Sequence, residues 1–230
     1  MKSLIYFTLS LVLLSSCGET IKGDGNLVTE ERPMEAFTEL KVSGMFTVVL
    51  IQGEPKVVID TDQNLLEHIS TTVDKNKLTL SSNNKMLQTD QLVLTVYYRS
   101  IEEVDLSGAC DLETSGSING ESFALEVSGA AEADLTLNVT NFELELSGGG
   151  DIDLKGIANN VAIGISGAAE VNAFELESKK ANISVSGAGE VEINASEELD
   201  VDISGAGEIT YIGNPTIKKN ISGVGELKQK

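Results

Sequence analysis

Seven copies of one five-residue word punctuate the second half of the chain: Ser-Gly, two small residues, then a carboxylate. They begin at Ser107, Ser128, Ser147, Ser166, Ser186, Ser204 and Ser222 and end at Asp111, Glu132, Asp151, Glu170, Glu190, Glu208 and Glu226, so their starts are 18 to 21 residues apart. A fixed period near twenty is the mark of stacked repeats, in which a unit too small to bury its own apolar face relies on its neighbours.

Around each word the flanks alternate. Phe123, Leu125 and Val127 precede Ser128, and Ala133, Leu135 and Leu137 follow Glu132. Period two means strand, so each unit reads as two short strands joined at the word. A corner there needs a positive φ or a close backbone approach, and glycine supplies either without a Cβ clash. Serine can satisfy polar backbone groups at the bend or in the next coil. Roughly twenty residues at about 3.3 Å each give a circuit of about 65 Å. These terms predict an all-β chain, a β-solenoid with 18–21 residues per coil, and specifically a right-handed parallel β-helix, the hand following from the preference of parallel crossovers. An antiparallel sandwich also fits many short strands. It leaves the repeated identity of the word unexplained.

The N-terminus reads as an export signal: Lys2, an apolar stretch from Leu4 to Leu14, then Ser15-Ser16 before Cys17. Leu14-Ser15-Ser16-Cys17 resembles a bacterial lipobox, which implies a lipoprotein signal peptide over 1–16 and acylation of Cys17, tying the protein to a membrane leaflet. An eleven-residue apolar run is too short to span a bilayer. Residues 17–30, with Gly18, Gly23, Gly25 and Asn26, read as the lipidated cysteine and a flexible tether. Residues 31–227 then form a single domain. Loss of residues 1–16 removes Lys2 and leaves 15 basic against 36 acidic side chains, a net charge of −21. Such a surface repels nucleic acid and anionic lipid. With Cys17 acylated, Cys110 has no partner for a disulfide and reads as a small packed thiol.

Between Glu31 and Asp105 the word is mostly missing, although Leu40 to Val48 carries it in disguise as Ser43-Gly44-Met45-Phe46-Thr47, without the carboxylate. Gln63 to Ile69 reads as one or two helical turns, and Asp74-Lys75-Asn76-Lys77 as a hairpin loop. The run Phe37 to Gly44, then Val48 to Gly53, then Asp62 to Leu66, followed by the Ser-Gly ladder, resembles the family of putative autotransporter adhesin head, or GIN, domains. Its members are typically secreted or lipid-anchored proteins of Bacteroidetes-like bacteria. The resemblance implies a β-solenoid and an exported location, and brings no catalytic motif to place on these positions.

Little else points to chemistry. His68 is the only histidine, too few for a zinc set with Cys110. Gly164-Ile165-Ser166-Gly167-Ala168 lacks the second glycine of a nucleophile elbow, and no base stands beside it. Arg32 and Arg99 are the only arginines, and the chain has no tryptophan and few tyrosines, so platforms for sugars are scarce. Tyr97-Tyr98-Arg99 reads as a core-and-rim pair beside one cation. If the words stack, Asp111, Glu132, Asp151, Glu170, Glu190, Glu208 and Glu226 form a column at about 4.8 Å spacing. Neighbours then repel by about 0.9 kcal/mol in water and about 3.5 kcal/mol at an effective dielectric of 20. The column is a solvated acidic edge, a weak repeated Ca²⁺ site drawing also on Asp153 beside Asp151, or a glycosidase pair.

The reading these residues support is a non-enzymatic, lipid-anchored adhesion or scaffold module of the outer membrane, at its periplasmic face or the cell surface, with an unidentified protein or glycan partner. No cofactor is expected. A carbohydrate-active β-helix and an envelope signalling partner are the alternatives. A homodimer, or a lid from the tether, could close the C-terminal end.

Overall fold

The computed structural model describes residues 20–83 and 85–230. The export signal and Cys17 lie outside them. Strands β1 (Thr20–Lys22), β2 (Leu27–Pro33), β3 (Glu39–Gln52) and β4 (Lys56–Asp62) lead to a 3-10 helix, Gln63–His68. Then come β5 (Ser70–Asp74), β6 (Lys77–Ser81), β7 (Met86–Gln88), β8 (Val93–Tyr98), β9 (Glu103–Ser115) and β10 (Ile118–Val127). The repeat proper is β11 (Ala130–Leu146), β12 (Gly149–Ile165), β13 (Ala168–Val185) and β14 (Ala188–Ile203), closed by β15 (Glu208–Ile212), β16 (Thr216–Ile221) and β17 (Glu226–Gln229).

β3 pairs parallel with β6, β8 and β9, and from β9 onward every successive coil pairs parallel with the last. Ala133 lies beside Ile152, Ile152 beside Val171, Val171 beside Val191 and Val191 beside Ile209. Parallel pairing at one coil per step removes the sandwich alternative and makes the chain a β-solenoid. The alternating apolar residues become continuous core columns. One runs Leu78, Leu40, Val104, Leu125, Leu144, Ile163, Ile183, Val201, every member buried. Burying such a side chain stabilises the fold by about 1.5–3 kcal/mol. Coil length varies without disturbing the corners because extra residues are absorbed between them, as where Leu154 of β12 faces both Ala173 and Phe174 of β13.

The corner is where the serine, glycine and small residue act together. The Ser147 amide donates to Val127 O at 2.9 Å, and Ser147 Oγ reaches the same carbonyl at 3.3 Å. Ser128, Ser166 and Ser186 repeat both bonds one coil apart. The glycines stack: a Cβ on Gly148 would stand 1.7 Å from Gly129 O, and one on Gly187 1.9 Å from Gly167 O. Positive φ is required at Gly44 and Gly108 (+149° and +130°), but close backbone approach is the requirement at the later corners. The disguised word is the first true corner, for Ser43, Gly44, Met45, Phe46 and Thr47 pair directly with Ser107, Gly108, Ala109, Cys110 and Asp111.

Two features depart from the expectation. The N-terminal end is antiparallel, with β2 on β4, β4 on β8 and β5 on β6, and the 3-10 helix lies against β4 and β2. The flexible tether expected over 17–30 is folded from Thr20 onward: β1 pairs parallel with β7, and β2 is a full edge strand. Its glycines and polar residues are tied by hydrogen bonds to residues far along the chain. Gly23 N donates to Gln88 O, Asn64 Nδ2 to Lys22 O, and Gly25 N to the buried Asp62 carboxylate. The folded body therefore starts at least eleven residues before the expected boundary at 31. Among the described residues no helix is long and apolar enough to cross a membrane.

Candidate functional site

The fourth residue of each word points inward (Cys110, Ala131, Gly189) and the third and fifth point out. Strand pairing therefore lays the fifth residues in one row: Thr47, Asp111, Glu132, Asp151, Glu170, Glu190, Glu208, Glu226. All seven predicted carboxylates come together, with Thr47 at the head of the row, its hydroxyl 3.2 Å from Asp111 Oδ2. Asp153 stands in a second row two residues further along each strand, with Glu113, Asp134, Asn172 and Glu192. Word counting overlooks that row. Its signal was present in the strand alternation, which puts residues two apart on one face.

Together the rows make a broad anionic face. Asp111, Glu113, Glu132, Asp134, Asp151 and Asp153 surround a shallow open recess of about 390 Å³. Lys155 Nζ bridges both oxygens of Asp134 at 3.2 and 3.1 Å, and that bond holds the ammonium above its ordinary pKa. At the far end Lys228 lies 2.8 Å from Glu208 and 3.2 Å from Glu226, so the last two acids of the row share one cation. At the head, a segment from Leu87 to Leu92 overhangs Met45, Thr47 and Asp111 across an open cleft of about 600 Å³.

A separate groove of about 500 Å³ runs along another side of the coil. Its floor is the buried Phe123, Phe142 and Val161, the two rings stacked with centroids 6.0 Å apart. Its rim carries Asn141, Asn160 and Lys180, and Asn160 Nδ2 donates to Asn141 Oδ1 at 2.9 Å. Glu198, between Lys180 and Lys218, is held below the ordinary carboxylate pKa by its hydrogen bond from Lys218, with Lys180 adding to it.

The remaining candidates have structural places. Cys110 is buried, its Sγ 3.6 Å from Gly44 O, and burial pushes its pKa up to about 11. His68 ends the 3-10 helix, 3.6 Å from Glu67. Arg32 donates to Ile69 O, Leu66 O and Glu30, stapling the helix to β2. Tyr98 is buried and Tyr97 faces out beneath Lys56 Nζ, 4.8 Å from its ring. Arg99 pairs with Glu54 at 2.7 Å. Ser166 Oγ points to Leu146 O at 3.4 Å, a corner bond with no base beside it. Neighbouring ladder acids project side by side from one face rather than facing each other across a cleft, as a glycosidase pair would. Among the described residues no three His, Cys, Asp or Glu side chains converge to hold a metal ion.

A profile of the family described as "Putative auto-transporter adhesin, head GIN domain" matches residues 36–215. Solved structures share the fold. A putative adhesin from Bacteroides fragilis superimposes with a TM-score of 0.87 at 23% identity, covering 91% of this chain and 100% of its own. A putative lipid binding protein from Parabacteroides distasonis gives 0.74 at 21%, covering 92% and 100%. A putative adhesin from Parabacteroides merdae gives 0.68 at 20%, covering 93% and 100%. At these identities the likeness is one of fold. No curated protein matches the chain.

Proposed function

Because the chain belongs to the family of auto-transporter adhesin head GIN domains, we propose that it is an exported interaction module of the cell envelope that works without catalysis. It is held in a leaflet through lipid on Cys17 and meets a protein or glycan partner through its acidic face. The observation that carries this reading is repetition. The same outward carboxylate recurs at seven consecutive corners, and a second row runs beside it through three adjacent coils. A catalytic site needs different groups brought to one point, whereas a row of like groups makes an extended surface.

Cys17 carries the anchoring part of the proposal through its lipobox-like setting, Leu14-Ser15-Ser16-Cys17. With 15 basic against 36 acidic side chains after residue 16, the body offers anionic lipid little attraction. Covalent lipid would supply what its charge does not.

Two experiments bear on it. Fractionation after Cys17→Ala should move the protein out of the membrane pellet, and an unchanged pellet ends the anchoring claim. Protease shaving of intact cells, with binding of purified protein to neighbouring and host cells, tests the surface role. Binding should fall at least several-fold when Glu132→Gln, Asp134→Asn, Asp151→Asn and Asp153→Asn are combined. Undiminished binding removes the acidic face from the proposal.

A further inference from the structure

Tying down the expected tether changes how the body can sit on a membrane. β1 begins at Thr20, and its register partner is Met86 of β7. Gly23 N donates to Gln88 O at 2.9 Å, Asn64 Nδ2 to Lys22 O at 2.8 Å, and Gly25 N to Asp62 Oδ1 at 2.7 Å. Asp62 is 4% exposed and also accepts from Thr89 Oγ1, so one buried carboxylate holds the N-terminal segment and the segment after β7 together. Only Gly18 and Glu19 separate Cys17 from this locked strand. Three residue steps span at most about 11 Å.

The surface at the end of that short leash is unusual for so polar a molecule. Met86 is 52% exposed, Met45 51% and Leu27 56%, three of the largest exposed apolar side chains in the described chain. Met45 and Met86 line one open cleft of about 570 Å³, and Met86 stands one strand spacing, about 4.8 Å, from Thr20. The acidic row begins beside this surface, for Met45 also lines the cleft that holds Asp90, Asp111, Glu132 and Asp151, and from there the row runs away to Glu226 at the other end of the coil.

We infer that the surface around β1 and β7, where Met45 and Met86 are exposed, is seated on the phospholipid surface of the leaflet that holds the anchor. The inference rests on the acylation of Cys17 proposed above. The short leash limits how far this end can lift, and apolar side chains at the headgroup boundary favour contact over free tumbling. The solenoid then stands up from the membrane, its C-terminal coil about 34 Å beyond the first corner at seven steps of about 4.8 Å. The acidic face is carried outward with it.

The test uses the mature lipidated chain in vesicles of phosphatidylethanolamine and phosphatidylglycerol doped with headgroup spin-labelled lipid. In a Cys110→Ala background a fluorophore is placed by Met86→Cys, Met45→Cys or Val224→Cys, all more than half-exposed positions. Quenching by the spin label should be several-fold stronger at 45 and 86 than at 224. As a second measurement free of new cysteines, chloramine-T oxidation of Met45 and Met86 should slow several-fold in vesicle-bound protein relative to the same chain made without lipid. Equal quenching at all three sites, or equal oxidation rates, in protein that floats with the vesicles overturns the seating and leaves the anchored module standing. A chain that mass spectrometry shows to carry no lipid, and that does not float, overturns both.

Discussion

Gly167 rests directly on Gly148: a Cβ on Gly167 would stand 1.6 Å from the Gly148 carbonyl oxygen, closer than any pair of unbonded heavy atoms allows. The same contact repeats down the stack, and the obstructing atom is backbone each time, so no side chain can swing aside. Gly149, one position on from Gly148, has only Ala168 O at 3.3 Å, and its neighbours on both sides, Ala130 and Ala168, are alanine.

Gly167→Ala should therefore lower stability by about 3 kcal/mol or more, at or beyond the upper end of overpacking costs. Gly149→Ala should stay within about 1 kcal/mol. Thermal melts of the two variants check this, and equal losses would remove close approach as the reason for the glycine.

Cys110 should resist alkylation in the folded protein at pH 8, because burial holds the thiol protonated up to about 11 and the thiolate is the nucleophile. Unfolded, it titrates near 8.5. Above that pH the unfolded chain gives up a proton that the folded chain keeps, so the contribution of Cys110 to stability falls as pH rises toward about 11. Thiol titration in urea should find one reactive sulfur if Cys17 carries the proposed lipid. Two would mean that Cys17 is free.

Asp62→Ala leaves Gly25 N–H and the Thr89 hydroxyl without their buried acceptor. The expected loss is about 1–3 kcal/mol. Hydrogen exchange should localise it, with amides of β1 and β7 exposed well before those of β11 to β13. Uniform loosening of the whole solenoid would contradict a local latch.

The acidic row should make the protein more stable as salt rises. Screening shortens from about 30 Å at 0.01 M to about 3 Å at 1 M, which weakens repulsion between neighbours such as Glu170 and Glu190. Glu190→Gln should raise the melting temperature at low salt by about 2–4 °C for each kcal/mol of repulsion relieved, and the gain should shrink at 1 M. Calorimetry with millimolar Ca²⁺ at matched ionic strength checks the alternative. A saturable heat there would make the row a cation site.

Two core columns end in polar residues on the last coil, while Ile217, Leu227 and Ile221 end the columns of Leu199, Ile209 and Ile203. Lys219 follows Val201 and Gln229 follows Tyr211 in register, both exposed at the open end of the stack. A charged side chain on an open sheet edge blunts it against further pairing. Combining Lys219→Leu with Gln229→Leu should give concentration-dependent end-to-end association in sedimentation experiments, where the parent shows less. No change would mean that the edge is closed in some other way.

How much could be read in advance depended on the range of the interaction concerned. Phe142, Leu144 and Leu146 alternate within one strand, so their burial was legible, and the repeated Ser-Gly corner implied that Asp111 to Glu226 would line up. The pairing of Ser43 with Ser107 was harder to see, because 64 residues separate them and Thr47 replaces the carboxylate. Glu113 and Asp134 were missed because they lie outside the word, although the strand period already put them on its face. Gly23, Gly25 and Asn26 resemble a linker by composition, and only their bonds to Asp62, Gln63 and Gln88 make them part of the fold.

By itself the sequence determined the coil: two-residue alternation chose the inward side chains, and glycine at every corner is what a stack of touching backbones demands. These are local requirements, renewed at each step of the repeat. Only the tertiary structure decided where the coil starts and how it is closed. The buried Asp62 and the antiparallel N-terminal strands satisfy backbone groups that no neighbouring coil could pair, and they do so with residues 23 to 66 positions away.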